Sequence, residues 1–257
     1  MKLKVVAFSL IELLVTVAVI SMLISLLIPG VSQAKNKGRK VQCVSNVRQL
    51  AIASLIYADE DKEQSLSGRV EALDQSVAWL SPFVGTGTPK VFICPSTRNE
   101  VSKTRSINQY TGQSGLEYLQ HFASTKNDRL GCSYMNHAFI GYNTGLNMDV
   151  DKGVYGRVSI PYLRKTLNNI QNYQKINSAF GGGMGGRTVG PSEFWLFVDN
   201  YWDGKILAFP DEDSNHGEVG VNVSYCDGHV DWVGKERFLE KYEIDTDEGR
   251  TSITLPY

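Results

Sequence analysis

The sequence has no excess of either charge. Its 257 residues include 26 lysines and arginines and 27 aspartates and glutamates, so the net charge is −1. This balance provides no general attraction to nucleic acid or to an anionic membrane surface. The composition therefore indicates no nucleic-acid partner.

The sequence also lacks the short spacings of common catalytic and metal sites. It contains no His-x-x-x-His, no Cys-x-x-Cys and no nucleophile elbow, and the glycine-rich run 181–186 has no Lys-Ser/Thr end. His216, Asp227 and His229 could be drawn as a metal or acid-base cluster, but each has a simpler explanation. We interpret them as a loop cap, a turn residue and an exposed strand residue. The sequence thus predicts no catalytic residue and no enzyme.

One long apolar run stands near the N-terminus. A basic leader, residues 1–7, precedes a run over residues 8–30 that is almost entirely apolar. As a helix rising about 1.5 Å per residue, this run can cross a hydrocarbon core about 30 Å thick. Its single acid, Glu12, would cost about 2.5–3.5 kcal/mol there, which marks it as a functional residue with an amine as the proposed partner.

The stretch from Ala7 to Leu14 resembles the processing site of the type IV pilin and type II secretion pseudopilin family. The resemblance implies that a prepilin peptidase cuts between Ala7 and Phe8 and that the new Phe8 amine is methylated. It also implies that Glu12 pairs with the terminal amine of a neighbouring subunit during assembly. Ala7 departs from the pattern, because the family usually has glycine there.

The same resemblance implies a topology and a set of partners. The leader is cytoplasmic, a single span crosses the bacterial inner membrane, and residues 31–257 form the exported head. The expected partners are the prepilin peptidase/methyltransferase, other pilin or pseudopilin subunits, and an inner-membrane assembly platform. The basic residues at 35–40 oppose this orientation on the positive-inside rule, and we give precedence to the motif. Pro29 and Gly30 stand where many family members break the helix.

Other origins for the apolar run fit less well. A simple signal anchor is the alternative, with Glu12 merely near the interface. A secretory signal peptide is disfavoured because the run is longer than a usual signal and has no small-x-small cleavage site at its far end.

The helical pattern resumes after the proline. Apolar residues recur at three- and four-residue spacings from Val41 to Ile56, which predicts an amphipathic helix over 31–58 that packs on the head. Three further segments are similar to motifs of a prepilin subgroup: Cys43 to Leu50, Phe92 to Pro95, and Ser133 to Asn136.

Residues 194–233 predict an antiparallel sheet. A two-residue turn at Asp227-Gly228 pairs Tyr225 with Val230 and places one apolar face toward the helix. That face carries Val221, Val223, Tyr225, Val230 and Trp232.

The same hairpin carries a second resemblance. The run from His216 to Val233 is similar to the prepilin processing-associated C-terminal domain, defined by a histidine, nine intervening residues and Asp-Gly. Here ten residues separate His216 from Asp227 and Gly228, which we attribute to a bulge or a longer loop.

The four cysteines suggest disulfides if the head is exported, with three possible connectivities. The resemblance favours Cys43 with Cys94, which would tie the helix to the head, and Cys132 could then pair with Cys226. Free buried thiols are the alternative.

One acid-rich stretch is a candidate calcium site. Asp199, Asp211 and Asp213 lie close in sequence, and major pseudopilins of type II secretion hold calcium in a loop. A solvated acidic loop is the alternative. No other cofactor is predicted.

These patterns together predict an α+β, pilin-like fold: a long N-terminal helix, half transmembrane, packed on an antiparallel sheet with large loops. The expected function is that of a structural subunit of a type II secretion pseudopilus or a type IV pilus-like filament. The alternative is a membrane-tethered exported binding or hydrolytic protein that uses the helix only as an anchor.

Overall fold

The structure, a computed structural model, contains two helices and a four-stranded sheet that packs against both of them. The described residues are 9–69, 76–84, 89–101, 105–107, 114–116, 119, 126–127, 130–140, 163–175, 185–200, 210, 212 and 214–247. Helix α1 spans Leu10–Glu60, and helix α2 spans Lys235–Thr246. The strands are β1 (Arg105–Ile107), β2 (Ser114–Leu116), β3 (Tyr134–Asn136), β4 (Phe139–Ile140), β5 (Leu163–Arg164), β6 (Tyr173–Gln174), β7 (Thr188–Val189), β8 (Trp195–Asp199), β9 (Gly220–Tyr225) and β10 (Val230–Gly234). The α+β class is confirmed.

Helix α1 divides into two halves with opposite surroundings. Large apolar side chains between Leu10 and Val31 are 50–84% exposed, and this stretch is long and apolar enough to cross a membrane. From Cys43 onward one face of the helix is buried in the head. The expected break at Pro29 and Gly30 is not observed, because the helix is continuous through both residues. The fixed φ of proline is itself helical, so the helix can continue, but it loses the backbone hydrogen bond that the missing amide would have made.

The principal sheet has four antiparallel strands in the order β10-β9-β8-β3. Strand β8 lies inside it, and all five of its residues are buried. A β-bulge between Trp195 and Phe197 shifts the register against β9. Because the bulge changes which side successive residues face, Trp195 and Val198 join one apolar cluster while Leu196 and Phe197 join the other.

The predicted register of the β9–β10 hairpin is wrong by one residue. Val230 pairs with Ser224 instead of Tyr225, and Trp232 pairs with Asn222. The amide of Gly228 donates to the carbonyl of Tyr225, and Gly228 has a φ of +88°. A turn followed by a left-handed glycine makes a three-residue loop, which shifts all later pairs relative to a two-residue turn.

Strand β9 of the hairpin is buried on both faces. Val221, Val223 and Val233 pack with Phe238 of α2, so the apolar face belongs to α2 and not, as predicted, to α1. The other face of β9, with Asn222 and Ser224, is also buried and meets α1. Helix α1 therefore packs on the more polar face.

Buried ion pairs hold the C-terminal turn of α2. Lys165 and Asp245 are both fully buried, and Lys165 Nζ lies 2.5 Å from Asp245 Oδ1. The other carboxylate oxygen of Asp245 lies 2.6 Å from His137 Nδ1. Burial raises the pKa of Asp245, but the Lys165 charge and the His137 hydrogen bond together lower it by a larger amount. The net pKa therefore lies below its usual value. Asp245 is thus held as a carboxylate.

We expect Gly228→Val to lower the free energy of unfolding by about 1–3 kcal/mol, because a β-branched residue resists positive φ. A Cβ at this position would also lie 3.3 Å from Leu55 Cδ1. Denaturant unfolding of the full chain in detergent, followed by near-UV circular dichroism, measures the loss. Gly228→Asn is the control, because asparagine tolerates this conformation better, and its loss should be smaller. Unchanged stability of Gly228→Val would contradict the three-residue turn.

We expect Lys165→Met to cost about 3–5 kcal/mol, since it leaves the Asp245 charge buried without its cation. The double variant Lys165→Met/Asp245→Asn should recover part of that loss, as a double-mutant cycle would show. Arg187→Met is the matched control, because Arg187 pairs with Glu193 at a partly exposed position. Such a pair is worth about 0–1 kcal/mol. Equal losses for Lys165→Met and Arg187→Met would contradict the account of α2.

Candidate functional site

Four side chains from distant parts of the sequence meet beneath α1. Cys43 lies on the buried face of α1, and Cys94 follows a 3-10 turn at Pro89–Phe92. Asp199 ends β8, and His216 precedes the short 3-10 turn that leads into β9. The sulfur, nitrogen and oxygen atoms that these four side chains offer all lie within 4.8 Å of one another. We call these four residues the thiol cluster.

The contacts within the thiol cluster form a ring. Cys43 Sγ lies 3.1 Å from Cys94 Sγ and 3.0 Å from Asp199 Oδ1. His216 Nε2 lies 3.7 Å from Cys94 Sγ and 3.3 Å from Asp199 Oδ2. The side chains of His216 and Asp199 are 2% and 0% exposed, and both thiols are buried. The cluster is therefore shielded from water.

Amide groups orient the carboxylate of Asp199. The backbone amide and the side-chain Nδ2 of Asn222 donate to Oδ2 over 2.7 and 2.8 Å. Asn215 Nδ2 lies 3.3 Å from Oδ1. A buried carboxylate needs such donors, and here they come from β9 and the segment before it.

A second set of contacts surrounds Cys43. The hydroxyl of Tyr134, in β3, lies 3.3 Å from Cys43 Sγ. The same hydroxyl accepts a hydrogen bond from Asn46 Nδ2 over 3.2 Å, and Asn46 also donates to the carbonyl of Ile93. Asn46 therefore links α1 both to the sheet and to the segment that carries Cys94.

The two thiols of the cluster differ in acidity. Burial, followed by the neighbouring Cys94 and Asp199, raises the pKa of Cys43 well above its usual value. Burial also raises the pKa of Cys94, but hydrogen bonds with Cys43 and His216 lower it by a larger amount, so that the net pKa is about 7. Burial lowers the pKa of His216, but Cys94 and the Asp199 charge together raise it by a larger amount, so the net pKa lies above its usual value. The neighbouring groups thus make Cys94 the more acidic of the two thiols.

The separate sequence motifs converge on this cluster. Cys43 and Asn46 come from the helix motif, Cys94 from the Phe-x-Cys-Pro motif and Tyr134 from the third motif. His216 begins the C-terminal motif. Its side chain contacts the Asp199 carboxylate, whereas the sequence predicted that it would cap a loop. Sequence reasoning missed the shared site. The occurrence of a cysteine or a histidine in three of these motifs was the available signal.

The rest of the C-terminal motif stays at the hairpin turn. Asp227 Oδ1 accepts from the backbone amide of His229 over 3.0 Å and lies 2.5 Å from its Nδ1. Both side chains are about 40% exposed, at 37% and 43%. The structure does not join them to His216, so the conceivable His216, Asp227 and His229 cluster is not formed.

The structure places the four cysteines as free thiols. It brings Cys43 and Cys94 together but not Cys132 and Cys226. The segment of Cys132 leads to Tyr134, which pairs with Asp199 at one end of β8, whereas the Cys226 amide bonds Phe194 at the other end. The length of β8 separates these two thiols.

The remaining candidate residues have the following positions. Asp199 belongs to the interior, and its predicted calcium partners Asp211 and Asp213 lie outside the described residues. Ala7 and Phe8, the expected processing site, also lie outside them. Glu12 is exposed in the first turn of α1, where its Oε2 accepts from the Ser9 amide over 3.0 Å.

Comparison with known proteins assigns neither the helix nor the thiol cluster. No protein-family model, curated protein or solved structure matches the chain. Its function must therefore be inferred from the sequence motifs and from the geometry above.

Proposed function

We propose that the protein is a structural subunit of a pilin-like filament, either a type II secretion pseudopilus or a type IV pilus-like assembly. The chain would be inserted in the bacterial inner membrane, cut and N-methylated at Phe8, and polymerised through α1. The observation that carries this proposal is the division of one continuous helix into an exposed apolar half and a half packed on the head.

The exposed half of α1 requires an apolar environment. A contiguous apolar surface of this length is not stable in water, and soluble monomers rarely expose such patches. Lipid can cover it before assembly, and the corresponding helices of neighbouring subunits can cover it afterwards. Because α1 is continuous into the head, a subunit held by this helix would project its sheet from the filament core.

Glu12 supports assembly over simple anchoring. Its only hydrogen bond in the described chain is to the Ser9 amide in the same turn, which leaves its negative charge without a cation. A carboxylate in hydrocarbon is costly, and so is a terminal ammonium. Pairing Glu12 with the Phe8 amine of an adjacent subunit relieves both costs and sets the axial stagger of the helices. A simple tether would use Glu12 only to cap the start of α1 through the Ser9 amide, whereas assembly uses the charge itself.

Processing provides the first test. On co-expression with a prepilin peptidase, we expect a chain that begins at methylated Phe8, which intact-mass spectrometry detects. Ala7→Gly restores the usual family residue and should be processed at least as completely. A mature chain in its native membrane that keeps Met1, or that begins elsewhere, would favour the membrane-tethered binding or hydrolytic protein.

Assembly provides the second test. We expect Glu12→Leu to insert into the membrane and lose its leader, yet to enter filaments poorly, because the charge pair is gone. Glu12→Asp should assemble to an intermediate extent, because its shorter side chain keeps the charge but loses reach. The measurement compares sheared filaments with the processed monomer left in the membrane.

Thr16→Leu is the matched control for assembly. Thr16 is also polar in the apolar run, but its hydroxyl is satisfied by the carbonyl of Leu13 in the same helix. It should therefore assemble normally. Normal assembly of Glu12→Leu would remove the role given to the carboxylate and would contradict the filament proposal.

A further inference from the structure

The thiol cluster has fewer hydrogens than its contacts require. Four contacts link its members in a ring: Cys43 to Cys94, Cys43 to Asp199, Cys94 to His216, and His216 to Asp199. Each thiol carries one hydrogen, and an ionised carboxylate carries none. The contribution of His216 therefore decides whether hydrogen bonds alone can hold the ring together.

The contacts of Asn222 are compatible with a metal-binding state of His216. Asn222 Nδ2 lies 2.8 Å from Asp199 Oδ2, so the amide must present its nitrogen to the carboxylate. The same nitrogen lies 3.1 Å from His216 Nε2, so its second hydrogen can be donated to that atom. In this arrangement Nε2 is an acceptor with its lone pair in the cluster, which is the state of histidine that binds a metal ion. Two thiol hydrogens remain for four contacts, and the Nε2 lone pair lies 3.3 Å from a carboxylate oxygen.

We propose that Cys43, Cys94, Asp199 and His216 bind a zinc ion. A cation at the centre of the ring supplies the attraction that the hydrogens cannot. Two thiolates, one imidazole nitrogen and one carboxylate oxygen form a ligand set typical of tetrahedral zinc. The two thiolates and the imidazole favour zinc over calcium or magnesium, which prefer oxygen ligands.

The spacing of the four side chains can be compared with the coordination shell of this ion. Zinc–sulfur bonds of about 2.3 Å and zinc–nitrogen or zinc–oxygen bonds of about 2.0–2.1 Å place tetrahedral ligand atoms about 3.3–3.8 Å apart. The four ring contacts measure 3.0, 3.1, 3.3 and 3.7 Å. The two contacts of His216 lie within this range, whereas Cys43 Sγ must move outward by about 0.5–0.7 Å to bind the ion. Asp199 contacts Cys43 through Oδ1 and His216 through Oδ2, so one of these two oxygens would become the ligand.

The surrounding residues are those that a zinc site needs. Two thiolates and a carboxylate carry one more negative charge than zinc neutralises, and hydrogen-bond donors must stabilise the excess. Because Asn46 donates to the oxygen of Tyr134, the hydroxyl hydrogen of Tyr134 is free to point to the Cys43 sulfur. Asn215 and Asn222 supply donors to Asp199.

The position of the site gives it a structural role. The protein supplies four ligands, so no coordination position is left for a substrate, as in structural zinc sites. One ligand lies on α1 and three lie on the head, so the ion fastens the helix to the sheet. This inference goes beyond the proposed function, because it applies equally to a filament subunit and to a simple membrane tether.

The test is metal analysis of the full chain, purified in detergent without chelators and with its thiols kept reduced. We expect elemental mass spectrometry to find one zinc ion per chain. Exchange with Co²⁺ should produce thiolate-to-cobalt charge-transfer absorption and the visible bands of tetrahedral cobalt. In the parent chain, Cys43 and Cys94 should react with an alkylating reagent only after a chelator removes the metal.

Variants test the ligand assignment. Cys94→Ser and His216→Ala should lose the zinc and the cobalt spectrum, and Asn222→Ala should weaken zinc binding about 10–100-fold. Cys226→Ser is the matched control, because Cys226 is a buried thiol whose partner is the carbonyl of Trp195, and it should keep both signals. Near-UV circular dichroism identifies any variant that has not folded.

Two results would overturn the proposal. One is a folded, reduced parent chain that carries no zinc and takes up no cobalt. The other is a Cys43–Cys94 disulfide in chain isolated from its native membrane with thiols trapped at lysis, since this bond would consume two ligands.

Discussion

The carboxylate of Asp199 is the constraint on which the arrangement of the head depends. A buried charge is tolerated only where donors or cations surround it, and Asp199 is fully buried. Its donors come from both sides of the 3-10 turn before β9, through Asn215 and Asn222, and from α1 through Cys43. The loop, two strands and the helix must therefore meet at one point. That requirement explains why α1 packs on the polar face of β9 and leaves the apolar face to α2.

This arrangement joins the two halves of the molecule. Before it reaches the head, α1 exposes large apolar side chains from Leu10 to Val31, and Glu12 is the single acid among them. From Cys43 to Ala58, one face of the helix is buried in the head. A rigid connection between the halves means that whatever fixes the exposed helix also fixes the head. In a filament, the stagger of the helices would thus determine the spacing of the heads.

The sequence predicted the parts of the structure that depend on local pattern. The apolar run and the amphipathic repeat defined α1 within a few residues at each end, and Phe194 to Val198 marked β8 within one residue. The turn glycine at Gly228 was also predicted, since few other residues accept its positive φ. Such features depend only on residues that are consecutive in the sequence.

The features that depend on long-range packing were not predictable. The hairpin register failed because Asp227-Gly228 fits both a two-residue and a three-residue loop, and only the pairing with the rest of the sheet distinguishes them. The thiol cluster brings together residues 51, 156 and 122 positions apart in the pairs Cys43–Cys94, Cys43–Asp199 and Cys94–His216, so no spacing motif revealed it. Helix α1 is also continuous at Pro29, where the family resemblance implied a break.

The central claim is that Glu12 of one subunit meets the Phe8 amine of the next. The most direct measurement is a solid-state nuclear magnetic resonance distance in filaments mixed from two pools, one labelled with ¹⁵N at phenylalanine and the other with ¹³C at the glutamate side chain. The account predicts an intermolecular coupling between the Phe8 nitrogen and the Glu12 carboxyl carbon, with nitrogen and oxygen within about 4 Å. Filaments that form without any such intermolecular coupling would contradict it.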